Sequence, residues 1–136
     1  MQRPTSFQMD GRLTEKRRLN DRYVLLIFQL PIPLTQVQAG QFVQVKVDGS
    51  PHTLLRRPIS ICLLPKPDEL WLLVQEVGEG TTTLCALEPG AIVNMLLPLG
   101  TGFTAPSLPS TCLLVGGGVG VAPMLMLGQK LAEAGH

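Results

Sequence analysis

A chain of 136 residues is long enough for one domain with a real core and too short for two of ordinary size, so one domain plus part of another is the natural expectation. The net charge of +1 excludes the broad positive field that nucleic acid or an acidic membrane would require, and the short clusters Lys16-Arg17-Arg18 and Arg56-Arg57 do not supply one. Hydrophobic residues make up 45% of the chain and charged residues 15%, so much of the surface should be hidden.

The segment up to Arg18 carries Asp10 and Glu15 and no apolar run of signal-peptide length, which speaks against export by that route. From Tyr23 the run Tyr-Val-Leu-Leu-Ile-Phe-Gln-Leu predicts a strand, stopped by Pro31 and Pro33, which cannot donate to a ladder. After Gly40-Gln41-Phe42 the residues alternate, with Val43, Val45 and Val47 on one face and Gln44 and Lys46 on the other, the pattern of a half-buried strand. Further short strands are predicted at Ile59 to Leu64, Leu70 to Val77 and Ala91 to Leu97. Turn-rich pieces such as Pro65-Lys66-Pro67-Asp68 and Glu88-Pro89-Gly90 separate them. Strands this short and evenly spaced suggest a closed antiparallel barrel.

Beyond Thr111 the pattern changes. Cys112-Leu113-Leu114-Val115 is wholly apolar, as a parallel strand covered on both faces would be. Glycines follow, and Pro123 then opens a helical stretch that runs to Ala134 before Gly135. One β-turn-α step cannot close a doubly wound sheet, so the natural domain is expected to continue past His136. No Asp, Glu, Lys or Arg occurs from Pro89 to Gln129, yet Pro98, Pro106, Pro109 and Pro123 exclude a membrane helix there. Cys62, Cys85 and Cys112 lack disulfide, zinc or iron–sulfur spacing and suit free thiols in a reducing cytoplasm. Neither His52, in a turn, nor the terminal His136 belongs to a catalytic constellation.

Four stretches could carry chemistry. In Leu55-Arg56-Arg57-Pro58-Ile59-Ser60-Ile61 the proline pushes Arg57 into extended geometry, so a permanently charged fork is offered from a rigid support, which suits a pyrophosphate. The plainer alternative is a surface arginine before a strand. Val77-Gly78-Glu79-Gly80-Thr81-Thr82-Thr83-Leu84 is a glycine turn entering a helix, either a phosphate cradle to which Thr81 and Thr82 add hydroxyls or a simple helix cap. Pro98-Leu99-Gly100-Thr101-Gly102-Phe103 is a tight turn. Gly116-Gly117-Gly118-Val119-Gly120-Val121-Ala122-Pro123 stands between a predicted strand and helix, the setting of a nucleotide-phosphate loop, although Val121 takes the place of the third glycine. The acidic residue that reads the ribose would fall about 20 residues after the first glycine, at the chain end, so NADH and NADPH are not distinguished.

In this order these motifs, with Gly40-Gln41-Phe42, resemble the ferredoxin reductase superfamily, and Arg-Arg-Pro-Ile-Ser resembles most closely the electron-transfer subunits of NAD-dependent dihydroorotate dehydrogenases. The resemblance implies a mainly β fold, a six-stranded antiparallel Greek-key FAD-binding barrel over 1–108, followed over 109–136 by the first β-α unit of an NAD-binding α/β domain, incomplete in this chain. It implies FAD held by Arg57 on the pyrophosphate, Ile59 and Ser60 beside the isoalloxazine, Val74, Gln75 and Glu76 along the flavin and ribityl chain, and Thr81 and Thr82 on the phosphates, with Pro58 and Gly80 also among the residues that bind it. NAD would meet Gly116, Gly117, Gly118, Gly120 and Pro123. In the wider superfamily an aromatic residue often stacks on the flavin where Ile59 stands, so one flavin face should be less covered here. The family further implies an oxidoreductase subunit that works beside an FMN-containing dihydroorotate dehydrogenase catalytic subunit in pyrimidine biosynthesis, and a [2Fe-2S] cluster to which none of the three cysteines can be assigned. Two readings stand beside this one: a flavin subunit of another complex of the superfamily, such as a hydrogenase or a ferredoxin:NADP reductase, and a barrel without cofactor that serves protein interaction.

Overall fold

The computed structural model describes residues 5–136; residues 1–4, where the expected first domain begins, lie outside the described residues. Six strands, β1 (Phe7–Arg18), β2 (Tyr23–Gln29), β3 (Phe42–Val45), β4 (Arg57–Lys66), β5 (Glu69–Gln75) and β6 (Ile92–Leu99), close into a barrel in the order β1-β2-β5-β4-β3-β6. All neighbouring strands are antiparallel. Alternation explains the closure. Met9, Leu13, Val43, Val45, Leu70, Leu72, Val74, Val93, Met95 and Leu97 recur at every second position and are buried in one core with Val24, Leu26, Phe28 and Ile61. Burial of each large side chain contributes about 1.5–3 kcal/mol, and closure leaves no barrel edge to pair with another chain.

Five of the six strands follow the periodic runs, and β1 is the one those runs do not announce. Its inward positions are Met9, Gly11 and Leu13, so the middle member is a glycine and the hydrophobic alternation is interrupted. The glycine is required by packing: a Cβ built on Gly11 would lie 2.9 Å from Met95 Cε. β1 instead announces itself through its partners, pairing with β6 from Phe7↔Leu97 and with β2 from Arg12↔Gln29.

Two of the motifs turn out to be one clasp. Buried Gln41 donates from Nε2 to the Gly100 carbonyl at 3.0 Å and accepts at Oε1 from the Gln38 N–H at 2.8 Å. The Phe103 N–H donates to the Ala39 carbonyl at 2.9 Å. Gly40 has φ +99°, and a Cβ there would lie 2.9 Å from the Phe103 ring. The Gly40-Gln41-Phe42 and Pro98–Phe103 pieces therefore tie the exit of β6 to the entry of β3.

The helix α1 (Glu79–Cys85) joins β5 to β6, and α2 (Ala122–Glu133), preceded by a 3₁₀ turn (Gly118–Val121), packs on β4. Ala122, Met126 and Leu131 form its buried side, and Met126 joins the barrel core. The expected strand at Cys112 to Val115 does not form: the segment is in no ladder, with Leu113 87% and Val115 79% exposed. A parallel strand exists only through its neighbours, and among the described residues no strand runs beside this one. Leu114 reaches α2, where a Cβ on Gly128 would lie 3.2 Å from Leu114 Cδ1. Among the described residues no helix is long and apolar enough to cross a membrane.

Candidate functional site

The pairing Ile61↔Leu72 brings the start of β4 and the end of β5 to one end of the barrel. There Arg57, the β3–β4 loop and the N-terminus of α1 converge. A Cβ built on Gly80 would lie 3.2 Å from Arg57 Nε and 3.1 Å from Thr53 Cγ2, so glycine is what allows Arg57 and Thr53 to press against the loop. Arg57 Nε is buried there with no hydrogen-bond partner among the described residues. A buried donor of a charged group left unpaired costs on the order of 1–3 kcal/mol or more, so this one marks a place for an acceptor.

The neighbouring arginine does something else. Arg56 turns to the opposite side and donates to the Gln44 carbonyl at 3.3 Å, the Asn94 carbonyl at 3.2 Å and Asn94 Oδ1, stitching β4 to β3 and β6. Successive residues of an extended chain point to opposite faces, so the doubled arginine divides into one that braces the barrel and one that is free to meet a ligand.

The two threonines divide in the same way. Thr81 Oγ1 accepts from the Val77 N–H at 2.9 Å and the Gly78 N–H at 3.1 Å, and donates to the Gly78 carbonyl at 3.1 Å. This hydroxyl builds the loop rather than offering itself outward; Thr82 is exposed. Two turns of helix make a modest dipole, so Arg57 is the principal positive charge of the cradle.

On the strands, Pro58 is exposed opposite Gln44, Ile59 is half-buried opposite Val43, and Ser60 is half-buried opposite Phe42. Val74 buries its side chain in the core at the end of β5, and Gln75 and Glu76 are half-buried. The Glu76 carboxylate accepts from the Arg18 guanidinium, and this bond holds Arg18 above its ordinary pKa. Gln75 pairs with Tyr23, and a Cβ on Gly118 would lie 3.5 Å from Tyr23 Oη. The glycine loop therefore stands at the same end of the barrel as Gln75. Gly118 has φ +58°, the Gly120 N–H donates to the Gly117 carbonyl at 3.0 Å, and a Cβ on Gly116 would lie 2.8 Å from Val121 Cα, so the loop returns tightly on itself before Pro123 enters α2.

Thr53 and Tyr23 had no sequence signal, because their part in the site depends on proximity across the fold. Cys62 and Cys85 are buried and Cys112 is half-buried. Burial pushes the Cys62 thiol up and, with Glu76 nearby, pushes Cys85 up to about 11, so both are inert at neutral pH. Among the described residues no three His, Cys, Asp or Glu side chains are grouped to hold a metal ion.

This barrel is shared with solved reductases. The chain superposes on the Amycolatopsis cytochrome P450 reductase GcoB with a TM-score of 0.81 at 24% identity, over 94% of this chain and 40% of that one. It superposes on phthalate dioxygenase reductase with a TM-score of 0.79 at 21% identity, again over 94% and 40%. No protein-family model matches. In fold the chain is a ferredoxin reductase-like barrel.

In sequence it is a homologue, over the matched residues, of the electron transfer subunit of dihydroorotate dehydrogenase B (NAD(+)). It is 44% identical to the Bacillus caldolyticus subunit over 101 residues, which is 72% of this chain and 39% of that protein. It is 42% identical to the subunit of Bacillus cereus strain Q1 over 116 residues, 80% of this chain and 45% of that protein. The chain thus spans less than half the length of these curated relatives.

Proposed function

We propose that the barrel binds FAD and serves as the flavin-carrying part of an electron-transfer subunit of an NAD-dependent dihydroorotate dehydrogenase. The observation that carries this reading is the buried, unpartnered Nε of Arg57 pressed against Gly80. A pyrophosphate oxygen supplies the acceptor that this donor lacks, and it can meet the backbone around Gly80 and the exposed Thr82. Thr81 contributes by holding the loop in shape. Ile59 and Ser60 border the isoalloxazine with Pro58. Val74, Gln75 and Glu76 run along the ribityl side, Val74 through its backbone. When bound, the flavin supplies the exchange between two-electron transfer with a nicotinamide and single-electron transfer to an iron–sulfur carrier.

In this reading residues 1–108 form the flavin-binding part and 109–136 the nucleotide-loop part, in which Gly116, Gly117, Gly118, Gly120 and Pro123 shape the turn for NAD phosphates. The glycine loop's approach to Tyr23, the strand partner of Gln75, supports a nicotinamide nucleotide arriving beside the flavin. The partner is an FMN-containing dihydroorotate dehydrogenase catalytic subunit, reached through a [2Fe-2S] cluster whose ligands are not among Cys62, Cys85 and Cys112. The setting is pyrimidine biosynthesis in the cytoplasm.

Titration of the flavin-free protein with FAD, followed by absorbance and fluorescence, tests the reading. Arg57→Ala should weaken binding roughly 10- to 150-fold, the loss of about 1.5–3 kcal/mol from a charge-assisted hydrogen bond. The unfolding transition of the flavin-free variant should stay cooperative. Equal FAD affinity in the variant would remove Arg57 from the site, and a wild-type protein that takes up no FAD would favour the interaction-barrel reading.

A further inference from the structure

The β3–β4 loop is tied to α1 by a group of side chains that the flavin reading does not use. Ser50 is buried, and its hydroxyl donates to Glu79 Oε1 at 2.9 Å while lying 2.6 Å from Thr53 Oγ1. The His52 N–H points to the same carboxylate oxygen at 3.4 Å, and the Thr53 N–H closes a turn onto the Ser50 carbonyl at 3.1 Å. Glu79 opens α1, one residue before Gly80. Thr53, at the other end of the group, is the side chain that presses with Arg57 against Gly80.

A carboxylate next to a phosphate cradle repels the ligand the cradle is built for. Its oxygen nevertheless gathers a buried hydroxyl and a backbone N–H from a loop 29 positions away in sequence. What Glu79 gives in return is the placement of that loop: without an acceptor there, Ser50 and Thr53 keep each other but lose the bond that ties them to α1. The same loop carries Leu54 and Leu55, which are 91% and 75% exposed, so no apolar burial at those positions holds it in place.

We propose that Glu79 is a positioning residue: through Ser50 and Thr53 it latches the β3–β4 loop beside Gly80 and so holds the Arg57 side chain ready for the pyrophosphate of FAD. This rests on the FAD reading above. The latch needs an acceptor at position 79, not a charge, and it acts through Arg57.

The test is FAD affinity of the flavin-free protein by fluorescence titration, for wild type, Glu79→Ala, Glu79→Gln, Ser50→Ala, Arg57→Ala and the Glu79→Ala/Arg57→Ala double variant. Glu79→Ala and Ser50→Ala should each weaken binding roughly tenfold, while Glu79→Gln, which keeps an acceptor and removes a negative charge, should bind at least as tightly as wild type. The double variant should bind about as weakly as Arg57→Ala alone, because the latch has nothing left to position. A purely structural loss would add to that of Arg57→Ala and would overturn the proposal, as would wild-type affinity in Glu79→Ala or a Glu79→Gln variant as weak as the alanine. If Glu79→Ala does not fold, Ser50→Ala, which deletes one hydroxyl, carries the comparison, alone and combined with Arg57→Ala. Failure of the wild-type protein to bind FAD would sink the underlying reading and this inference with it, an outcome distinct from any change confined to the variants.

Discussion

Leu72 and Leu113 both lie in short apolar runs, yet Leu72 is fully buried in β5 whereas Leu113 is 87% exposed. The two runs differ in what surrounds them. Leu72 pairs with Leu26 on one side and Ile61 on the other, inside a ring of strands that closes on itself. Among the described residues Leu113 has no strand beside it, and the stretch from Gly116 to Gly120 that follows is exposed throughout. Local sequence sets what a segment is able to become, and tertiary partners decide whether it does. The barrel therefore holds its shape from its own ladders. The C-terminal stretch is held chiefly by α2 docked on β4, with the glycine loop resting near Tyr23.

The largest difference should appear when the barrel core is opened. Phe28 is fully buried, so Phe28→Ala leaves a cavity between strands that cannot collapse without breaking the closed ladder. A loss of about 3–5 kcal/mol is expected, measured as a shift of the denaturant midpoint with little change in slope. A loss under about 1 kcal/mol would mean that the barrel relaxes far more easily than its packing implies.

Met126 is where the two regions share a core. Buried on α2 and clustered with the barrel residues, it should cost less than Phe28 when truncated, because a helix at the periphery can shift to fill part of the space. Met126→Ala is expected near 2 kcal/mol, the low end for a buried methionine. Hydrogen exchange should show faster opening of α2 while the strand amides keep their protection. If the strands lost protection equally, α2 would be an integral part of the barrel's cooperative unit, and the contrast between the regions would disappear.

The sequence makes the barrel legible to the extent that its strands alternate. β2, β3, β4, β5 and β6 announce themselves through apolar runs bounded by proline, glycine and charged turns, while β1 is masked because one of its three inward positions is Gly11. The site is legible in kind, through Arg57 and the Gly78–Thr82 loop, but not in its division of labour. Nothing in Arg56-Arg57 states that Arg56 will brace Asn94 and Gln44, and nothing in Thr81-Thr82 states that the first hydroxyl will turn back onto Gly78. Those roles follow from strand parity and loop closure, and some become visible only when residues far apart in the chain meet, as Arg56 and Asn94 or Ser50 and Glu79 do.

The smallest effect should come from Leu113, and it sharpens the comparison most because the sequence favours the opposite result. A leucine in the middle of an apolar strand covered on both faces would lose several kcal/mol on replacement by serine, through lost burial and a hydroxyl with no partner. At 87% exposure the leucine has little burial to lose, and the serine hydroxyl stays in water. Leu113→Ser should therefore change the unfolding free energy of this chain by no more than about 0.5 kcal/mol, the usual range for exposed positions. Leu114→Ser gives the internal contrast, because Leu114 is half-buried and reaches Gly128 on α2, and its replacement should loosen the helix measurably. Removing exposed apolar surface should also lessen self-association at high concentration, which light scattering would report. A large loss of stability in Leu113→Ser, with Leu114→Ser milder, would show that the segment is paired in solution and that the contrast with Leu72 is one of degree.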